Sequence, residues 1–220
     1  MSRAAQPKAV VFDLDGTLVD SLPLVLAAIT YAIEPYGGRP TMDIFAKLGG
    51  PPERFMATLV DDPKNVPVAV ARMEIFHREN FHLIRPYAGA TPMLERLRQC
   101  GVRIAIWTGR DRASTVTLLR DHQLDGFFAT VVCGDDLPSH KPDPAGLREI
   151  MRRLELKPEE MLFVGDADVD VLGGDACGVN TLLIRHTRTI EPGISARAWR
   201  TVASAPDAYE IVLNCLTAPA

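Results

Sequence analysis

Short apolar runs recur along the chain, with longer helical patterns between them. Five runs rich in β-branched residues have the length of buried strands, at 9–12, 102–107, 129–132, 161–164 and 181–184. Stretches with helical spacing separate most of them, at about 91–100, 112–122, 144–155 and 169–177. This alternation is typical of a parallel sheet covered by helices on both faces. We therefore predict an α/β fold.

The interval between residue 21 and about residue 87 breaks this rhythm, because it contains no convincing strand pattern. It contains only helical stretches, at about 21–35, 41–47, 52–61 and 67–83. We predict an all-helical cap inserted after the first strand, over the carboxyl edge of the sheet, where open α/β sheets bind ligands.

The predicted domains are a sheet-containing core of residues 1–20 and 86–220 and a helical cap of residues 21–85. Two linkers, near 16–21 and 84–90, would join them as a hinge. In the tail, 186–198 is expected to be irregular, an edge strand is expected within 199–204, and Asp207 is expected to cap a helix at about 208–216.

The composition excludes several classes of protein. The 28 acidic residues outnumber the 24 basic ones, which disfavours a dedicated nucleic-acid binder. The longest uncharged apolar run, 22–33, has 12 residues, whereas a membrane span needs about 20. The N-terminus has no apolar segment of a secretory signal. We expect a soluble cytoplasmic protein without nucleic-acid or membrane partners, and a monomer or a homodimer fits the sequence equally well.

Carboxylates follow two of the predicted strands. Asp13 and Asp15 follow the first strand, and Asp166, Asp168 and Asp170 follow the fourth. Because the carboxyl ends of parallel strands meet at one edge, acids from both segments should converge there. Oxygen ligands without a His or Cys cluster predict a Mg²⁺ site. Helix capping could explain Asp168, but it does not explain Asp13, which precedes the turn.

Two other strand ends carry groups suited to an anion. Thr108, Gly109 and Arg110 follow the second strand, where a hydroxyl and free backbone N–H groups open a helix. Lys141 follows the third strand, just ahead of a proline-marked helix start, and supplies a point positive charge.

An acidic metal site, an anion cradle and a carboxylate nucleophile together indicate phosphoryl transfer. In this interpretation Asp13 attacks phosphorus and becomes an aspartyl phosphate. Asp15 protonates the leaving oxygen and then activates water. Mg²⁺ bridges Asp13, the backbone carbonyl of Asp15, and Asp166, so that two anions can meet.

Four motifs in order resemble those of the haloacid dehalogenase superfamily phosphatases, in the branch with phosphoglycolate phosphatases and β-phosphoglucomutases. The motifs are Asp13-Leu-Asp-Gly-Thr-Leu-Val-Asp20-Ser21, Thr108-Gly109, Lys141-Pro-Asp-Pro and Gly165-Asp-Ala-Asp-Val-Asp170. The resemblance covers about residues 8–185. It implies a Rossmann-like core with a helical cap, Mg²⁺ dependence and hydrolysis of a small phosphorylated metabolite.

The resemblance also implies further roles and shows two departures. The amides of Asp15 and Gly109 would join Thr108 and Lys141 in holding the phosphoryl group, and Asp170 would be a metal-site acid, often outside the first coordination shell. This branch usually has Asn after the threonine, where this chain has Gly109-Arg110, and Arg110 is a candidate replacement that binds substrate. Ser or Thr usually stands where this chain has Ala167, so we expect weaker support for the neighbouring Asp166.

Substrate choice should depend on the cap. Lys47 and Arg54 flank the Gly49-Gly50-Pro51-Pro52 turn and are the candidate cap residues for substrate binding, with His77, Arg78, His82 and Arg85 at the end of the cap. Two alternatives remain open: a phosphosugar mutase of the same fold, and a regulatory protein that holds a phosphoaspartate.

Overall fold

A six-stranded parallel sheet is the centre of the computed structural model, which describes residues 6–36, 40 and 52–216. Its strands are β1 (Ala9–Phe12), β4 (Arg103–Trp107), β5 (Thr130–Val132), β6 (Met161–Gly165), β7 (Asn180–Ile184) and β8 (Arg200–Val202). They lie in the order β5-β4-β1-β6-β7-β8, and every pair is parallel. The predicted fold class is confirmed, and the expected edge strand is β8.

Two further strands and nine helices complete the described part of the chain. The strands are β2 (Val19–Asp20) and β3 (Arg85–Pro86). The helices are α1 (Leu22–Ile33), α2 (Pro52–Met56), α3 (Val66–Asn80), α4 (Ala90–Gln99), α5 (Arg112–Asp121), α6 (Ala145–Leu154), α7 (Asp168–Asp175), α8 (Pro192–Ser195) and α9 (Ala205–Leu216). None of these helices is long and apolar enough to cross a membrane.

Strand alternation separates two cores on opposite faces of the sheet. Val10 and Phe12 of β1 pack with the buried sides of α4, α5 and α9. Ala9 and Val11 point to the other face, where they pack with Leu147 of α6 and its neighbours. Since both faces are covered, the two central strands β1 and β6 carry no polar side chain, as the pattern of short continuous runs predicts.

The helical segment has a core of its own, formed by residues of α1, α2 and α3 that include Ile29, Met56 and Val70. The chain enters and leaves it through the antiparallel pair of β2 and β3, in which Val19 faces Pro86 and Asp20 faces Arg85. The division into domains of 1–20 with 86–220 and of 21–85 stays a prediction.

Several element boundaries differ from the sequence prediction. Helix α2 ends at Met56, and α3 ends at Asn80 before a 3-10 turn over Phe81–Leu83. The segment expected to be irregular contains the short helix α8. The predicted helix at 41–47 lies outside the described residues.

The start of α9 corrects the expected capping role of Asp207. The hydroxyl of Ser204 accepts from the N–H of Asp207 at 3.3 Å, and the Asp207 carboxylate accepts from the N–H of Ser204 at 3.1 Å. Ser204 therefore caps the helix, and Asp207 is its third residue, because the reciprocal pair satisfies donors at both positions.

Candidate functional site

Asp13 directly follows the central strand β1 and is 6% exposed. Its backbone N–H donates to the carbonyl oxygen of Val164 at 2.8 Å, which continues the pairing of β1 with β6 by one residue. Lys141 Nζ donates to Asp13 Oδ1 at 2.6 Å. The backbone and the side chain of Asp13 are thus both fixed at the carboxyl edge of the sheet.

Lys141 lies on the loop between β5 and α6 and joins two of the acids. Besides Asp13, its Nζ donates to Asp170 Oδ1 at 2.7 Å. The same nitrogen lies 4.9 Å from the ring centroid of Trp107 and 5.4 Å from that of Phe163. Burial acts to lower the pKa of Lys141, but the two carboxylates outweigh it and the pKa is raised. The lysine is therefore a permanent buried cation.

Asp166 and Asp170 lie where β6 ends and α7 begins. Asp170 Oδ2 accepts from the N–H groups of Asp166 at 3.1 Å and Ala167 at 2.9 Å, so this carboxylate fixes the turn between strand and helix. Asp13, Asp166 and Asp170 each offer one oxygen, and these three atoms lie within 4.8 Å of one another. We call these three residues the acidic cluster.

Burial and mutual repulsion perturb the acidic cluster. Burial raises the pKa of Asp13 to about 7, with Asp170 adding to the effect and Lys141 opposing it. Burial also raises the pKa of Asp166 well above its usual range, and Asp13 and Asp170 raise it further. In the described part of the chain, Lys141 thus pairs directly with two of the three crowded carboxylates. No cation pairs with the carboxylate of Asp166, and the nearby charges of Arg188 and Lys141 only partly oppose the rise in its pKa.

A hard divalent cation fits the acidic cluster, because its donors are three buried carboxylate oxygens and the carboxylate of Asp166 forms no ion pair in the described residues. The two oxygens of Asp170 already accept hydrogen bonds from Lys141 and from the backbone. Within the described residues, the carboxylate of Asp166 accepts none. Asp13 and Asp166 are therefore the side chains free to hold a cation, whereas Asp170 orients its neighbours.

Asp15 faces a different partner. Arg110 donates to both of its oxygens, with Nε 3.0 Å from Oδ2 and Nη2 2.5 Å from Oδ1. The guanidinium carbon also lies 5.5 Å from the ring centroid of Phe81, at the end of the helical segment. Burial alone would raise the pKa of Asp15, but the paired guanidinium reverses this and lowers it. Asp15 is thus held ionised between the sheet edge and the helices above it.

Thr108 follows β4 and is buried, with 2% of its surface exposed. Its Oγ1 accepts from the backbone N–H of Arg110 at 3.1 Å, which closes a tight turn around Gly109. A Cβ on Gly134 would lie 2.2 Å from the carbonyl oxygen of Gly109, so the loop after β5 passes directly against this turn. The hydroxyl of Thr108 is held at the sheet edge beside Asp13 and Lys141, which line the same cavity.

One cavity of about 1130 Å³ lies between the sheet edge and the helical segment. Eight of the predicted site residues line it: Asp13, Asp15, Thr108, Gly109, Arg110, Lys141, Asp166 and Asp170. The opposite wall comes from α1, α2, α3 and the 3-10 turn that follows α3, and it includes Phe55, His77, Arg78 and Phe81. The structure therefore brings together acids and cations that are up to 157 residues apart (13 to 170).

The remaining cap candidates lie elsewhere. Arg54 is exposed on α2 and is not part of the cavity lining in the described residues, although its neighbour Phe55 is. Lys47 lies outside the described residues. His82 and Arg85 are exposed, and neither lines the cavity. The roles predicted for Arg54 and Lys47 stay predictions.

Two residues near the site have no counterpart in the sequence analysis. Arg188, 4% exposed, donates to the backbone carbonyl of Asp166 and to the carboxylate of Asp168. His186 Nε2 lies 2.7 Å from the carbonyl oxygen of Gly16, to which it donates. Both lie in the segment after β7, which the sequence predicts to be irregular. The pattern of hydrophobic residues gives no signal for them, because their contacts depend on the chain's return over the sheet edge.

Comparison with known proteins gives matches over most of the chain. Residues 10–184 match the family model described as haloacid dehalogenase-like hydrolase. Phosphoglycolate phosphatase 1 of Pseudomonas aeruginosa is 32% identical over 190 residues, covering 82% of this chain and 70% of the relative. Pyrophosphatase PpaX of Halalkalibacterium halodurans is 32% identical over 213 residues, covering 92% and 95%.

The fold has close relatives among solved structures. A hydrolase of the haloacid dehalogenase-like family from Streptococcus pneumoniae superposes with a TM-score of 0.77 and 21% sequence identity. The match covers 94% of this chain and 98% of the other. The arrangement of the sheet and the helical segment is therefore shared across the two chains.

Proposed function

The chain belongs to the haloacid dehalogenase-like hydrolase family and is a phosphatase, and from this premise we propose that it hydrolyses a small phosphorylated metabolite through an aspartyl phosphate on Asp13. The relatives above are named for phosphoglycolate and for pyrophosphate, which supports a small phosphorylated substrate. The cavity of about 1130 Å³ has room for a compound of that size, and the helical segment forms one of its walls.

The observation that carries the proposal is the environment of Asp13. This buried carboxylate lies on the cavity wall, with Lys141 on one oxygen and the other acids of the cluster within 4.8 Å. A carboxylate needs a nearby positive charge to approach a phosphate dianion, and such a charge also neutralises the product. Lys141 supplies it.

In the first step, an oxygen of Asp13 forms a bond to phosphorus while the bond from phosphorus to the leaving oxygen breaks. Asp15 gives a proton to that leaving oxygen. In the second step, Asp15 takes a proton from water, the water oxygen attacks phosphorus, and the bond to Asp13 breaks. Inorganic phosphate leaves, and both aspartates return to their starting state.

The transferred phosphoryl group needs donors that stay in place throughout. We assign this role to the hydroxyl of Thr108, the amides of Gly109 and Asp15, and the ammonium of Lys141. All four residues line the cavity at the sheet edge. Donors fixed by strand ends and tight turns require little reorganisation as charge develops, which is the main source of catalysis in phosphoryl transfer.

Arg110 is proposed to contact the leaving group. Its guanidinium holds Asp15 as a carboxylate in the structure, which is the form that accepts a proton from water. Transfer of Arg110 to an anionic leaving group would free Asp15 to carry the proton needed in the first step. Lys47 and Arg54 are the further candidates for substrate selection from the helical segment.

Mg²⁺ is the cation we propose for the acidic cluster. Asp13, Asp166 and the backbone carbonyl of Asp15 would hold it. Asp170 would orient Lys141 and the backbone at Asp166 through its hydrogen bonds. When bound, the ion neutralises charge between nucleophile and substrate and polarises the phosphoryl oxygens.

We propose that the helical segment is a cap of residues 21–85, joined by hinges at its linkers to a core of residues 1–20 and 86–220. This cap would close over the site and exclude water.

Phosphate release tests the proposal. A panel of phosphoglycolate, pyrophosphate and sugar phosphates is assayed with Mg²⁺ and with EDTA, for wild type, Asp13→Asn and the control Asp61→Asn. Asp61 is exposed and lies outside the cavity. We expect metal-dependent release by wild type and the control, and none by Asp13→Asn, which keeps the volume of the nucleophile but not its charge.

Two outcomes contradict the proposal. Release by Asp13→Asn at the wild-type rate would exclude the covalent intermediate. Transfer of the phosphoryl group to a second hydroxyl of the substrate, seen by phosphorus NMR without sustained phosphate release, would identify a mutase.

A further inference from the structure

The segment after β7 turns back over the carboxyl edge of the sheet. The N–H of Arg188 donates to the carbonyl oxygen of Arg185 at 3.0 Å, and His186 between them has a φ of +50°. This turn of residues 185–188, which we call the return turn, carries two side chains into the loops that follow β1 and β6.

Arg188 binds both sides of the turn that contains Asp166. Its Nη2 donates to the backbone carbonyl of Asp166, and its Nη1 lies 3.3 Å from Asp168 Oδ1. Arg188 is 4% exposed, and its Nε has no partner among the described residues. Burying a guanidinium is costly unless its donors are used, so this placement indicates a strong local requirement.

His186 braces the facing loop. Its Nε2 donates to the carbonyl oxygen of Gly16 at 2.7 Å. Gly16 in turn lies directly against Asp166, because a Cβ on Gly16 would come within 2.4 Å of Asp166 Oδ2. The return turn therefore contacts the backbone on both sides of the Asp166 carboxylate.

We propose that Arg188 is a positioning residue, which holds the Asp166 carboxylate in the orientation that a divalent cation requires. This inference rests on the metal site of the proposed function. Ala167, which follows Asp166, has no hydrogen-bonding side chain. A hydroxyl at position 167 could help to orient Asp166. In this chain Arg188, 22 residues after Asp166, takes that role through its bond to the Asp166 backbone.

Charge and position have opposite effects here, which makes the inference testable. As a cation near the acidic cluster, Arg188 repels Mg²⁺, so a purely electrostatic role predicts tighter Mg²⁺ binding when its charge is removed. A positioning role for Arg188 predicts weaker Mg²⁺ binding when the arginine is replaced. Loss of a partner that orients a metal ligand typically lowers metal affinity by about 10- to 100-fold.

Arg197 provides a matched control. It also lies after β7 and pairs with an acid of α7, Asp175, at 3.2 Å. That pair is at the opposite end of the helix and is exposed, with 54% of the arginine side chain accessible. Arg197→Gln removes an arginine from the same segment, and breaks its pair with α7, without touching the turn that contains Asp166.

The experiment is calorimetric titration of Mg²⁺ into wild type, Arg188→Gln, Arg188→Lys, Arg197→Gln and Asp166→Ala, with circular dichroism to check folding. We expect Kd to rise about tenfold or more for Arg188→Gln, to rise less for Arg188→Lys, and to be unchanged for Arg197→Gln. Asp166→Ala sets the value for loss of the ligand itself.

Tighter or unchanged Mg²⁺ binding by a folded Arg188→Gln would overturn the inference while leaving the metal site intact. If Arg188→Gln does not fold, Arg188→Lys decides, and wild-type affinity in that variant would also overturn it. Wild type that binds no Mg²⁺ would overturn both the inference and the metal site on which it rests.

Discussion

Gly16→Ala separates backbone strain from displacement of the catalytic acids. Gly16 has a φ of +76°, which L side chains rarely adopt. This conformation should cost an alanine about 1–2 kcal/mol in the free energy of unfolding. Gly101→Ala is the matched control, because Gly101 has a φ of +72° but nothing lies within 4 Å of its Cβ position.

The two variants differ in what the new methyl group meets. At position 16 it would lie 2.4 Å from Asp166 Oδ2, whereas ordinary contact begins at 3.4 Å, so the carboxylate must move by about 1 Å (3.4 minus 2.4). The end of a side chain can move at little cost in stability. A misplacement of about 1 Å in a catalytic group, however, can lower the rate about 100-fold.

We therefore expect similar losses of stability and very different losses of activity. Urea unfolding gives the free energies, and phosphate release at several Mg²⁺ concentrations gives kcat/KM. Gly16→Ala should lose about 100-fold in kcat/KM, and Gly101→Ala should stay near wild type. Equal activity of the two variants would show that the contact of Gly16 with Asp166 does not position the acid.

Two further predictions concern charge in the acidic cluster. Lys141→Met should lower the free energy of unfolding by about 3–5 kcal/mol, because it leaves Asp13 and Asp170 buried and unpaired. The control Lys8→Met, which removes a lysine 66% exposed in its pair with Glu160, should leave the free energy of unfolding nearly unchanged. Equal losses in urea unfolding would argue against a buried pair. In EDTA, the free energy of unfolding should fall as pH rises from about 4 to about 7. The folded protein keeps a proton on Asp13 up to a pKa of about 7, whereas the unfolded chain loses it near 3.8. Thermal unfolding at several pH values measures this fall, and a fall of the same size in Asp13→Asn would assign it to another group.

The sheet and the residues at its edge could be predicted from the sequence because strand patterns and strand ends are local features. The apolar run 9–12 followed by Asp13 places that carboxylate at the sheet edge whatever the rest of the chain does. Parallel pairing then brings Asp166 beside it, since both strands end at the same edge. The order of the elements and the direction of the strands are enough to place both acids.

Residues that act across distant loops could not be predicted in this way. Arg188 reaches Asp166 only because the return turn folds back, and no periodicity encodes that path. The sequence marks Arg110 as a departure, but its two hydrogen bonds to Asp15 join loops that are 95 residues apart along the chain. The boundary of α9 shifted because the reciprocal bonds of Ser204 and Asp207 outweigh the single cap inferred from Asp207 alone.

The short ladder of β2 and β3 has a consequence for how such enzymes can diversify. The helical segment leaves the sheet at Asp20 and returns at Arg85, and these two residues are paired neighbours, about 5 Å apart. The junction itself therefore constrains only the separation of the two ends, whereas the contacts of Leu24, Phe76 and Phe81 with the main core depend on what lies between them. An insertion of another size could be exchanged at this junction, giving a new substrate preference while Asp13 and Asp15 keep their positions.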